Sequence, residues 1–131
     1  MNKTEIRNTL DDLFADFFVD IEKVCDFIVE TTYVIEDAGK DKANLIDDVK
    51  EISERLVQAK SLRKKLFENF EKCKKQFLLA KDLIDLSDYC EGQILTSANE
   101  DYQFGLDNLN TIIFNLNSKL RELLTESEPK A

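Results

Sequence analysis

The sequence predicts an all-α fold, an antiparallel bundle of three long helices with heptad seams. Helix breakers are scarce, with three Gly and a single Pro, Pro129, in 131 residues. That is too few for a loop-rich or all-β chain. Apolar residues recur along most of the chain at alternating steps of four and three, the spacing of a heptad seam. Charged residues make up 34%, which suits solvent-exposed helix faces between those seams.

Helix 1 is expected over about residues 4–38. Asn2 and Thr4 are candidate caps, and Asn2 has Glu5 three residues on, as in a capping box. From there Leu10, Phe14, Phe17, Ile21, Val24, Ile28, Thr31 and Ile35 form one seam. Gly39 is the expected stop, because glycine tolerates the left-handed backbone that commonly ends a helix.

Helix 2 is expected over about residues 41–87, with its seam running from Leu45 and Val49 through Leu66 and Phe70 to Ala80 and Ile84. One unbroken helix of about 45 residues spans roughly 65 Å. Arg63 interrupts the seam, so a break near Ser61 and a four-helix up-and-down bundle form the alternative. Helix 3 is expected over about residues 98–126, on the seam Tyr102, Leu106, Leu109, Ile113, Leu116, Leu120 and Leu123. Gly92 marks the turn before it, Ser97 or Asn99 is the expected cap, and residues 127–131 read as a frayed tail. Residues 1–131 thus read as a single domain.

Folding the chain antiparallel at Gly39 pairs seam positions whose numbers total 80, such as Ile28 with Ile52 and Phe14 with Leu66. The charges favour the same pairing of helices. Residues 1–38 carry ten acids and three bases, a net −7; residues 39–86 carry nine and twelve, a net +3; residues 87–131 carry eight and three, a net −5. An acidic helix against a basic one fixes partner and orientation in coiled coils. This register sets Lys60 near Asp20 and Lys64 near Asp16, with Arg63 between them as a register device. In it, helix 2 outlasts both neighbours, and each end of the bundle is two helices thick with apolar flanks open.

Several function classes recede on composition. The chain has no histidine, the commonest general base and transition-metal ligand. Neither a nucleophile–base pair nor a phosphate-binding glycine loop is visible, so no enzyme, no catalytic residue, no metal and no cofactor is expected. Cys25, Cys73 and Cys90 lack CxxC spacing and read as reduced core thiols. The first thirteen residues carry acids where a secretory leader needs an apolar run. The longest uncharged run, 108–118, is eleven residues, against about 20 for a membrane span. A soluble, cytoplasmic chain without membrane contact is the expectation. The basic cluster Lys60, Arg63, Lys64, Lys65, Lys72, Lys74 and Lys75 is interrupted by Glu68 and Glu71. It reads as a face paired with helix 1 and not as a nucleic-acid patch.

The informative surfaces are uncharged. Phe27 and Val34 lie about 100° from the centre of the helix 1 seam on a helical wheel. In helix 3 the run "NLNTIIFNLNS" has no charge on any side for three turns, and Phe104 and Phe114 lie on its back. Asn110 and Asn117 flank that seam where charges would be usual. Phe27, Val34, Phe104, Phe114, Asn110 and Asn117 are therefore the expected interface residues of a protein-binding bundle, in the manner of an adaptor, chaperone or immunity-type protein. Its partner would be another protein or a second copy of itself. The alternative is an acidic inhibitor or nucleic-acid mimic that offers Asp12, Asp16 and Asp20 to a basic site.

Overall fold

A computed structural model describes residues 2–87 and 93–127. Its elements are α1 (Lys3–Asp37), a 3-10 turn (Lys42–Asn44), α2 (Leu45–Ala80) and α3 (Gln93–Ser127). The all-α bundle of three long helices is the observed architecture. α2 runs unbroken through Ser61, so the four-helix alternative does not occur.

α1 begins as the capping-box spacing requires. The Asn2 side chain accepts from the Glu5 backbone N–H at 2.8 Å and donates to the Glu5 carboxylate at 3.3 Å. The helix stops at Asp37, and Gly39 then takes a positive φ of 86°. The Gly39 N–H donates to Asp48 at 3.0 Å, which ties the turn to the start of α2. The Asp41 side chain accepts from the Ala43 N–H at 3.0 Å, and this capped turn delays α2 to Leu45. At the far end α2 closes at Ala80, seven residues before the sequence-based limit. There Asp85 accepts from the Ser87 N–H and hydroxyl, a local side-chain turn that competes with further helix.

α3 starts at Gln93, five residues before the expected limit. Ser97 and Asn99 lie inside the helix and do not cap it. Ile94 and Leu95 are half-buried and Ala98 is fully buried. Burial of that apolar face outweighs the capping preference of the polar residues between them. Gly92, Cys90 and residues 128–131 lie outside the described residues; Ser127, expected in the tail, is helical.

α1 and α2 are antiparallel, with Arg7 donating to the Asp85 carbonyl at one end and Gly39 bonded to Asp48 at the other. α3 returns alongside both: Tyr102 stacks on Phe70 and Asn110 meets Arg63, while a methyl group of Leu123 reaches Gly39. The expected stagger is corrected by these lengths. The helices are 35, 36 and 35 residues long, and α1 runs the length of α2.

The α1–α2 register is also corrected. Asp20 meets Lys65, Glu30 meets Arg55 and Leu13 meets Cys73, so paired numbers total about 85 to 86 and not 80. Along a heptad seam, a slip of several residues still sets apolar positions against apolar positions, so the seam alone does not fix the register. The turn decides, since late entry to α2 at Leu45 sets every α2 residue back toward the C-terminal end of α1. Arg63 accordingly misses Asp16 and Asp20 and donates to Asn110 of α3 at 2.8 Å.

The core runs the length of the bundle. Phe17 and Phe70 approach at 5.8 Å between ring centroids, Phe14 meets Phe77 edge-on at 6.4 Å, and Phe70 lies parallel to Tyr102 at 4.6 Å. Each such ring taken from water stabilises the fold by about 1.5–3 kcal/mol. Gly105 is buried where α3 crosses; a methyl group there would sit 3.1 Å from Leu66 and 3.4 Å from Ile21. The missing side chain lets α3 approach both neighbours.

Candidate protein-interaction surface

Three helices of nearly equal length enclose one core, and each helix faces two neighbours. The buried arc of each is therefore wider than a single heptad seam. That geometry moves Phe27 from the expected flank into the core, where it is 9% exposed. The Arg55 guanidinium lies over its ring at 5.6 Å, a cation–π contact. Arg55 also donates to Thr31 at 3.2 Å and lies 3.7 Å from Glu30. Val34 is half-buried and packs against the core. These two residues belong to the fold.

On α3 the outcome differs between residues. Phe104 and Phe114 are 62% and 69% exposed. Asn110 is exposed and accepts from Arg63, and Asn117 is half-buried. The two rings thus lie on the outer face of α3, Asn110 on the flank toward α2, and Val34 and Phe27 on another helix altogether.

The outer face of α3 carries a second row at three-four spacing. Phe104, Asp107, Thr111, Phe114, Ser118 and Arg121 succeed one another at alternating steps of three and four, and each is exposed. Thr111 bonds its hydroxyl to the Asp107 carbonyl at 3.0 Å, and Asn108 its amide to the Phe104 carbonyl at 2.7 Å. These polar groups are satisfied by their own helix, which lowers the cost of covering them. A one-seam reading of α3 misses Asp107, Thr111, Ser118 and Arg121 because none is apolar. The usable signal is the spacing outward from Phe114 in both directions.

The acidic residues of α1 divide. Asp12 and Asp16 are exposed, but Asp20 is turned inward at 9% exposure. Its carboxylate accepts from the Asn69 amide and lies 3.8 Å from the Lys65 ammonium. Asp16 and Asp20 line a groove of about 350 Å³ between α1 and α2 with Lys23, Lys65, Asn69 and Lys72. Cations in the same groove balance the acids.

The remaining chemistry is quiet. Cys73 is buried, as expected, and donates to the Leu13 carbonyl at 3.2 Å. Burial first, then the negative charges of Asp16 and Asp20, push its thiol up from 9.0 to about 11. Cys25 is an exposed free thiol and not a core residue. Among the described residues, no three His, Cys, Asp or Glu are grouped to hold a metal ion, and no helix is long and apolar enough to cross a membrane. Compared with protein-family models, curated proteins and solved structures, the chain matches none.

Proposed function

We propose that this chain is a non-enzymatic helical bundle that binds protein through the outer face of α3. The carrying observation is Phe114, 69% exposed inside a charge-free run of eleven residues in a chain that is 34% charged, with Phe104, 62% exposed, on the same outer face just before that run. A continuous uncharged helix face that carries exposed aromatic rings is the kind of surface that marks an interaction site. The internal satisfaction of polar groups agrees: among the described residues, no buried side-chain nitrogen or oxygen lacks a hydrogen-bond partner. The free thiols Cys25 and Cys73 suit a reducing, cytoplasmic setting. The acidic-inhibitor reading is weaker, because Asp20 is spent inside the fold and lysines interleave the acids beside it.

The test replaces Phe104 and Phe114 together by Asp and captures partners from a native lysate on the immobilised chain. The expected result is loss of capture by about 30-fold or more, equivalent to about 2 kcal/mol, with helicity and melting near wild type. Binding through this face should weaken far less with salt than an acid-mediated contact, since its centre holds no charge to screen. Capture that survives the double substitution but collapses with salt, or on neutralising Asp12 and Asp16, would favour the acidic reading instead.

A further inference from the structure

The outer row of α3 is nearly self-complementary when reversed. Phe114 stands at its centre, Asp107 lies seven residues before it and Arg121 seven residues after it. All three are exposed. A heptad returns to the same helix face with a drift of only about 20°. Asp107 and Arg121 therefore point the same way as Phe114, each about 10 Å along the axis from it. Thr111 and Ser118 occupy the intervening steps as small side chains on either side of the ring.

We infer that the partner of this face is a second copy of the same chain, docked antiparallel, α3 on α3, about a two-fold axis at Phe114. The inference rests on the protein-binding reading above and names its occupant. In the antiparallel arrangement each Asp107 faces the Arg121 of the other copy, so one dimer holds two reciprocal ion pairs. Phe114 meets its own counterpart at the axis, in space that Thr111 and Ser118 leave open. A parallel pairing would set Asp107 against Asp107 and Arg121 against Arg121. A two-fold interface requires this kind of self-complementary patch. It also solves a charge problem: each chain carries −9, and the charge-free turns between Asp107 and Lys119 are where two such chains meet with least repulsion. The paired row from Asp107 to Arg121 is about 21 Å long. One helix pair of that length falls at the small end of specific interfaces, the class of transient and not permanent associations.

The test is sedimentation of the full chain at physiological salt over a concentration series reaching high micromolar, with two single variants, Asp107→Arg and Arg121→Asp. Both positions are exposed, and melting curves check that each variant folds. Wild type is expected to dimerise reversibly. Each variant alone places like charges opposite one another twice and should dimerise at least about tenfold more weakly. Mixed in equal amounts, the two variants should recover association as a heterodimer. At one end the introduced arginine of the first variant faces the introduced aspartate of the second, and at the other end the unchanged Arg121 faces the unchanged Asp107. A mixture no better than its components overturns the antiparallel register. A wild type that stays monomeric overturns the self-partner, and if Phe104→Asp/Phe114→Asp still abolishes capture of another protein, the binding face itself stands. A wild-type dimer untouched by Phe114→Asp contradicts both.

Discussion

Cys73 joins burial to chemistry at the scale of one residue. Its thiol is fully enclosed, bonded to the Leu13 carbonyl and raised to about 11 by burial and by Asp16 and Asp20. The unfolded chain releases that proton near the ordinary value of 9.0. Between these values the unfolded state binds fewer protons than the fold, so stability falls as pH rises from about 9 to 11. The loss attributable to Cys73 is about 2 kcal/mol, and chemical denaturation of wild type and Cys73→Ala across that range should show the slope flattened in the variant. A parallel slope in both would assign the alkaline loss elsewhere, Tyr102 being a second group raised by burial. Single residues are unevenly legible in the sequence. Phe104 and Phe114 are readable from a helical wheel because they stand far from any seam. Phe27 is not, because a wheel built on one seam cannot know that a helix has two neighbours, and Arg55 arrives from α2 to cover its ring.

At the scale of elements, existence and type follow from periodicity, while ends and registers follow from turns. Three seams with few breakers specify three helices. Asp41 capping a 3-10 turn and Asp85 gathering Ser87 set the limits of α2, and neither signal belongs to the heptad pattern. The first of these turns shifts α2 along α1, which exchanges the expected charge partners for Asp20–Lys65 and Glu30–Arg55. Complementary net charge between helices is therefore legible, but individual pairs are not. Asp20 provides the test of the observed register. Asp20→Lys should destabilise by about 2–4 kcal/mol, since it buries a second cation against Lys65 and leaves Asn69 without its acceptor. Adding Lys65→Asp should recover part of that loss in thermal melts, whereas adding Lys60→Glu should recover none. Equal rescue by Lys60→Glu would restore the register total of 80.

The whole molecule combines an acidic exterior with a charge-free strip on α3, and the proposed function turns on what that strip touches. The side chain of Val19, 48% exposed, is by contrast set among charges, with Asp16, Glu22 and Lys23 as its helical neighbours. The strip differs by continuity, with Phe114 bracketed by Thr111, Asn115 and Ser118. Site-specific photo-crosslinking compares the two surfaces directly. A photoreactive phenylalanine placed at position 104, 114 or 19 of the full chain, irradiated in its native lysate, reports what lies against each side chain. The expected result is a discrete covalent adduct from positions 104 and 114, at the mass of a second copy if the antiparallel dimer forms, and none from position 19. Adducts from position 19 with none from 104 or 114 would contradict an interaction surface on the outer face of α3.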